Sequence, residues 1–189
     1  MKKKKKGELN KRPKKKRQNI IKELFCVNNK FELLGLLKNI AIPVGGGILV
    51  ALLTKNSMSM YSQLKKSILT PPDIVFPIVW TILYVLMGIA AYRIYMSNKE
   101  GKNDHDGYFY YLIQLLINFL WSIIFFNLRL YGISFILILI LLVLVIITTI
   151  KFFKTDKIAG ALMIPYIIWL IFASYLSAYV WIFNEMWLN

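Results

Sequence analysis

Trp80, Tyr84 and Met87 follow one another at steps of four and three residues, so on a helix they share one face made of two aromatic rings and a thioether. Two further stretches repeat the pattern. Gln114, Asn118, Trp121 or Ser122, Phe125 and Arg129 recur at three and four, as do Tyr166, Trp169, Ala173 and Ser177. These side chains make no nucleophile dyad, general-base constellation or metal cluster. They can hold an apolar guest against ring faces and orient it with a few amides and hydroxyls, the general make-up of a small-molecule pocket. Each face alone also suits an interfacial aromatic belt and ordinary packing. Asn118 alone suits interhelical hydrogen bonding as well as ligand contact.

Such faces need helices to carry them, and the composition says where those helices lie. The 189 residues are 58% hydrophobic, outside the usual range for a soluble globular chain. Residues 74–95, 108–128, 131–150 and 158–183 each approach the roughly 20 residues of a membrane-spanning helix. A weaker segment, 33–53, is interrupted by Lys38, Pro43 and the Gly45-Gly46-Gly47 run. The predicted fold class is therefore all-α, an integral membrane five-helix transmembrane bundle over residues 33–189. A basic, disordered cytoplasmic tail is expected over residues 1–32. Pro71 and Pro72 suit the first turn of the second helix, where backbone donors lack intrahelical partners. Pro77, a turn further in, is positioned to kink that helix or free a carbonyl, and Pro165 is expected near the start of the fifth.

The loops and charges set the topology. "TKNSMSMYSQLKKSILTPP" is long enough to fold over the mouth of the bundle, whereas "KFFKTDK" and the Asn127 to Tyr131 link are so short that helices three, four and five must be consecutive neighbours. Fourteen Lys and Arg lie up to Lys38. With the amino terminus in the cytoplasm, twenty fall on the inner side and four on the outer, which predicts amino terminus in and carboxyl terminus out, in the plasma membrane.

Several function classes drop out. No acid falls inside a predicted span, since Asp73, Asp156 and Glu185 lie between or beyond the spans, so a proton-driven carrier lacks its embedded group. His105 stands in the second loop between Asp104 and Asp106 without further ligands nearby, the pattern of a solvated histidine rather than a metal site. Cys26 is the single cysteine and forms no internal disulfide. The tail "MKKKKKGELNKRPKKKRQ" has no aromatic residues to stack on bases, which argues against nucleic acid and for a topology determinant attracted to anionic lipid.

"PPDIVFPIVWTILYVLMGIAAY", "INFLWSIIFFNLR" and "PYIIWLIFASYLS", in that order and spacing, resemble the tryptophan-rich sensory protein family, also called the translocator protein or peripheral-type benzodiazepine receptor family. The resemblance covers roughly residues 59–184. It implies a five-helix bundle, commonly a homodimer, that binds protoporphyrin IX, haem and synthetic isoquinoline or benzodiazepine-type ligands and, in animals, cholesterol. No obligatory cofactor is implied. By position Trp80 matches the tryptophan of the family's second-helix motif, with Tyr84 one turn beyond it. Asn118 and Trp121 match the third-helix pair, Tyr166 and Trp169 the fifth-helix Pro-Tyr and following tryptophan, and Ala173 a ligand-sensitive small residue.

The chain departs from the family pattern at several points. Tyr61 stands where a first-loop tryptophan is usual, Ser122-Ile123-Ile124 replaces a proline-containing run, and Ile133 replaces a fourth-helix tryptophan. No basic residue follows Tyr179, which leaves the sterol pattern incomplete. The implied function is a receptor or binding protein for tetrapyrroles, in transport or stress sensing, in which indole faces hold the ring and polar groups at the mouth meet its carboxylates. Lys65 and Lys66 are candidates for that second role on charge alone; solvated loop lysines are the plainer account. The alternatives are breakdown of porphyrin in light and oxygen, an activity proposed for family members and carried over by analogy alone, and small-molecule export.

Overall fold

The computed structural model describes residues 22–102 and 105–186, so most of the basic tail, residues 1–21, lies outside the described residues. The chain divides into two units, 1–31 and Glu32–Asn189. In the first, residues 22–25 form one helical turn. Val27 and Lys30 then exchange backbone hydrogen bonds of 3.0 and 2.9 Å. Asn28 and Asn29 take left-handed φ of 51° and 61° between them, a conformation that asparagine tolerates better than most residues.

The second unit is all helical. Its five long helices are α1 (Leu33–Thr54), α2 (Val75–Lys99), α3 (His105–Ile123), α4 (Tyr131–Thr155) and α5 (Lys157–Trp181). All five are long and apolar enough to cross a membrane, which makes this a multi-pass membrane protein. Leu34, Leu37, Ile136, Ile140, Ile168 and Ile171 point outward, a surface suited to hydrocarbon because each helix satisfies its backbone polar groups internally. Met87, Ile138, Leu141, Met163 and Leu170 fill the centre without exposure. Pairwise packing closes a ring in the order α1–α2–α5–α4–α3, with α3, α4 and α5 consecutive as the short links require.

Helix ends run past the hydrophobic segments. α2 continues through Ser97, Asn98 and Lys99 to Gly101, whose φ of 88° ends it. α3 opens at His105, which is therefore helical rather than a loop residue. It finishes in a π-turn at Ile124–Leu128, capped by Arg129 with a left-handed φ of 57°. Asp156 caps α5 by accepting the Ala159 N–H at 2.8 Å.

The prolines are placed differently from expectation. Pro71 and Pro72 precede α2, and Pro77 occupies its first turn, where no donor is needed. Pro165 lies inside α5, not near its start, and Pro43 lies inside α1. Nor does the glycine run break α1. A Cβ at Gly46 would run into the Phe119 ring and one at Gly47 into Tyr84, so these positions let rings lie directly on the α1 backbone.

Candidate functional site

α2, α3 and α5 turn their aromatic faces toward one another. The Trp80 ring stacks on Tyr84 at a centroid distance of 5.6 Å and lies 6.4 Å from Trp121. Its edges meet Tyr166 at 6.1 Å and Trp169 at 6.4 Å, in T-shaped contacts. Both geometries suit aromatic quadrupoles. Trp80 is thus the hub that joins rings from three helices.

Beside this hub lies a cavity of about 650 Å³, within the range that holds small molecules. Trp80 and Tyr84 from α2, Trp121 and Phe125 from α3, and Ala173 and Ser177 from α5 form its walls. α1 closes the remaining side with Gly47 and Val44. α4 contributes no lining residue; it buttresses α3 and α5 from behind.

Of the seven residues picked from sequence, Trp80, Tyr84, Trp121 and Ala173 line the cavity. Asn118, Tyr166 and Trp169 form the layer behind it. Tyr84 Oη–H donates to Asn118 Oδ1 at 3.0 Å, and Asn118 Nδ2–H donates to Tyr166 Oη at 2.6 Å. Asn118 and Tyr166 have no exposed surface. This buried chain links α2, α3 and α5 and fixes the tilt of the Tyr84 ring, so Asn118 acts on the cavity through Tyr84. Trp169 backs Trp80 and Phe76 in the same way.

The first loop is the roof. Tyr61 lines the cavity and packs against Phe76, Phe125 and Phe126 with centroids 6.2, 6.0 and 5.5 Å away. Burial, and then the Asp73 carboxylate nearby, pushes its hydroxyl up to about 12, so the phenol is neutral at physiological pH. Three ties hold the loop down. Asn184 bonds both backbone groups of Lys65, accepting its N–H at 2.8 Å and donating to its carbonyl at 3.0 Å. The Ser67 and Tyr175 hydroxyls bond at 2.7 Å, and Ser57 Oγ donates to Asn127 Oδ1 at 2.8 Å.

Among the lining residues that sequence reasoning missed are Gly47, Lys55, Tyr61 and Asp73. The glycine run was visible as a composition signal, but only the placement of Tyr84 gives it a meaning. Asp73 was read as a residue preceding a helix, whereas it forms part of the cavity rim. Of the two loop lysines, Lys65 is engaged through its backbone, and Lys66 reaches Asp73 at 3.4 Å. The ionisable side chains in the lining are Lys55, Asp73, Tyr61 and Tyr84. The hydroxyls of Thr54, Thr81, Ser122 and Ser177 add a few neutral polar groups, and the rest of the wall is ring faces and aliphatic carbon, which bind by burial and stacking.

Residues 39–182 match the TspO/MBR family. The CrtK protein of Rhodobacter capsulatus is 35% identical over 125 residues, 66% of this chain and 78% of its own length. The tryptophan-rich protein TspO of Archaeoglobus fulgidus is 32% identical over 146 residues, 77% of this chain and 91% of its own. The translocator protein of Homo sapiens is 30% identical over 130 residues, 67% and 76% of the two chains.

Proposed function

Because the chain belongs to the TspO/MBR family, we propose that it is a membrane receptor that takes protoporphyrin IX, haem and similar planar apolar guests into the cavity under the first loop, for their transport or for stress sensing. The observation that carries this reading is the aromatic wall of Trp80, Tyr84 and Trp121 around about 650 Å³. A flat ring that slides along the Trp80 and Tyr84 faces exchanges water or lipid for close aromatic contact, worth about 0.5–1.5 kcal/mol for each ring pair beyond area burial. The names of relatives, sensory and translocator, agree with a binding role. Protoporphyrin IX should quench tryptophan fluorescence saturably, and Trp80→Phe should weaken binding by roughly tenfold, the loss of one good stacking contact. Equal saturable binding by wild type and Trp80→Phe would remove the site.

A second reading, breakdown of bound porphyrin in light and oxygen, is favoured by one feature: Trp121 and Trp169 each lie 6.4 Å from Trp80, so three oxidisable indoles cluster at the cavity, two in its wall and Trp169 behind. Product formation at the wild-type rate after loss of Trp80 and Trp169 would assign that chemistry to the excited porphyrin alone.

The orientation follows from charge. With the amino terminus in the cytoplasm, the basic residues accumulate on the inner side, where the tail meets anionic lipid. Cys26, the single cysteine, reports this directly. A membrane-impermeant maleimide should modify it only after the cells are permeabilised.

A further inference from the structure

Two charged side chains meet at the roof of the cavity. Lys66 Nζ lies over the Tyr61 ring, 4.3 Å from its centroid, and 3.4 Å from Asp73 Oδ1. The Lys66 side chain is 20% exposed and that of Asp73 is 52% exposed. Both Tyr61 and Asp73 line the cavity. The loop that carries Lys66 is itself anchored one residue earlier, where Asn184 grips the Lys65 backbone. The ammonium, not itself in the lining, therefore stands against two residues that are, with an aromatic face below it and a carboxylate beside it.

At 3.4 Å the contact with Asp73 is long for a charge-assisted hydrogen bond, and a half-exposed pair of this kind is weak. A second carboxylate that reaches the rim from inside the cavity meets the same ammonium and can replace the first. Tyr61 matters for this exchange. Cation–π attraction favours Lys66 over the ring whichever carboxylate it pairs with.

We propose that Lys66 is the carboxylate-recognition group of the cavity and that Asp73 is the built-in anion which a carboxylate-bearing guest must displace. This inference rests on the reading of the cavity as a site for planar guests and adds how their acidic side chains are selected. Asp73 makes the protein discriminate: it opposes a guest with free carboxylates and is indifferent to the same ring with its carboxylates esterified. Lys55, also in the lining, is the rival cation.

The test compares protoporphyrin IX with its dimethyl ester on the full chain in phosphatidylcholine nanodiscs, by fluorescence quenching. Wild type, Asp73→Asn, Lys66→Met, the double variant and Lys55→Met are measured, and the readout is the ratio of diacid to ester affinity. Asp73→Asn should raise the ratio roughly two- to fivefold, the range of an exposed charge pair. Lys66→Met should lower it by a similar factor and cancel the Asp73→Asn gain in the double variant. An unchanged ratio in Asp73→Asn, or a gain that survives Lys66→Met, would overturn the assignment. So would a ratio that collapses in Lys55→Met but not in Lys66→Met. If wild type binds the ester saturably while the ratio ignores every variant, only the carboxylate assignment fails; if neither compound binds saturably, the reading of the cavity fails first.

Discussion

The two ends of the bundle use their polar groups in opposite ways. At the end where α2 finishes and α5 begins, polar side chains are spent on one another. Arg93 forms a bidentate pair with Asp156, Nε to Oδ1 at 2.9 Å and Nη2 to Oδ2 at 2.8 Å, with side-chain exposures of only 5% and 10%. Around it Tyr92 Oη accepts the Glu32 N–H at 3.0 Å, Lys99 pairs with Glu32, and Lys102 donates to the Thr155 carbonyl at 2.7 Å. The end under the first loop is tied mainly by neutral groups, through Asn127, Asn184, Ser67 and Tyr175, and its rings line the cavity. One end is fastened by charge, and the other is held apart by aromatic side chains around a chamber. The same five helices are therefore fastened at one end and leave a chamber at the other.

The largest effect should come from breaking the fastened end. Arg93→Met leaves the Asp156 carboxylate buried without its guanidinium, at a cost of about 3–5 kcal/mol. For a chain of this size that lowers the thermal midpoint by roughly 10 °C, measured in detergent with and without porphyrin. The pH dependence carries a sign. Burial pushes the Asp156 carboxyl up, but the Arg93 hydrogen bonds and the Ala159 N–H outweigh it, and the net shift is downward. A depressed carboxyl contributes stability that is complete above the ordinary carboxylate range, about pH 4, and is lost as pH falls through the lower folded value. Wild type should thus lose stability on the acid side, and Arg93→Met should not show that loss. An acid transition that persists in the variant would assign it to other groups.

Two glycines sharpen the contrast. A Cβ on Gly88 would lie 2.6 Å from the Ile40 Cα and 2.9 Å from the Asn39 carbonyl oxygen, where α1 and α2 cross. Backbone cannot step aside as a side chain can, so Gly88→Ala should separate the helices and cost about 1–3 kcal/mol. At Gly47 the added Cβ meets instead the Tyr84 ring, including Cδ2 at 2.7 Å. Tyr84 can give way, but only toward the cavity it lines or away from Asn118. Gly47→Ala should therefore cost less stability than Gly88→Ala and more porphyrin affinity. The opposite ranking would mean that the crossing, rather than the aromatic wall, governs the cavity.

The sequence made the aromatic end legible and the charged end much less so, for a physical reason. Steps of three and four put Trp80 and Tyr84, or Asn118 and Trp121, on one face whatever the tertiary fold. Apolar length marked all five helices within a few residues at most ends. Arg93, by contrast, lies inside the predicted span 74–95 with nothing in its local pattern to say what its charge meets, and α2 runs on past that span to Lys99. Its partner Asp156 is 63 positions away, and only packing of α2 against α5 brings the two together. Pro165 and the Gly45-Gly46-Gly47 run looked like boundaries by local propensity. In the bundle, contacts with neighbouring helices carry them as interior positions, and at Gly46 and Gly47 the missing side chains become room for Phe119 and Tyr84. Asp73 and Lys55 gave no pattern at all, since rim residues on a loop follow no period.

The smallest expected effect tests the roof. Asn184 sits in the π-turn that extends α5 and clamps Lys65 by two hydrogen bonds, while a further bond from its amide to the Val180 carbonyl at 2.9 Å holds it in place. The two bonds to Lys65 are exposed and the one to Val180 is half-buried, so each is worth about 1 kcal/mol net. Their loss in Asn184→Ala should leave the thermal midpoint nearly unchanged, because Arg93, Asp156 and the central core are untouched. Locally the clamp is a large share of what holds the loop, and about 1–2 kcal/mol less local stability raises amide exchange at Lys65 roughly five- to thirtyfold. Porphyrin should then leave faster without a matching change at the α2–α5 end. If instead amides around Asp156 exchange faster in Asn184→Ala while the loop does not, the two ends are one cooperative unit, and the division between a fastened end and a receptive end is wrong.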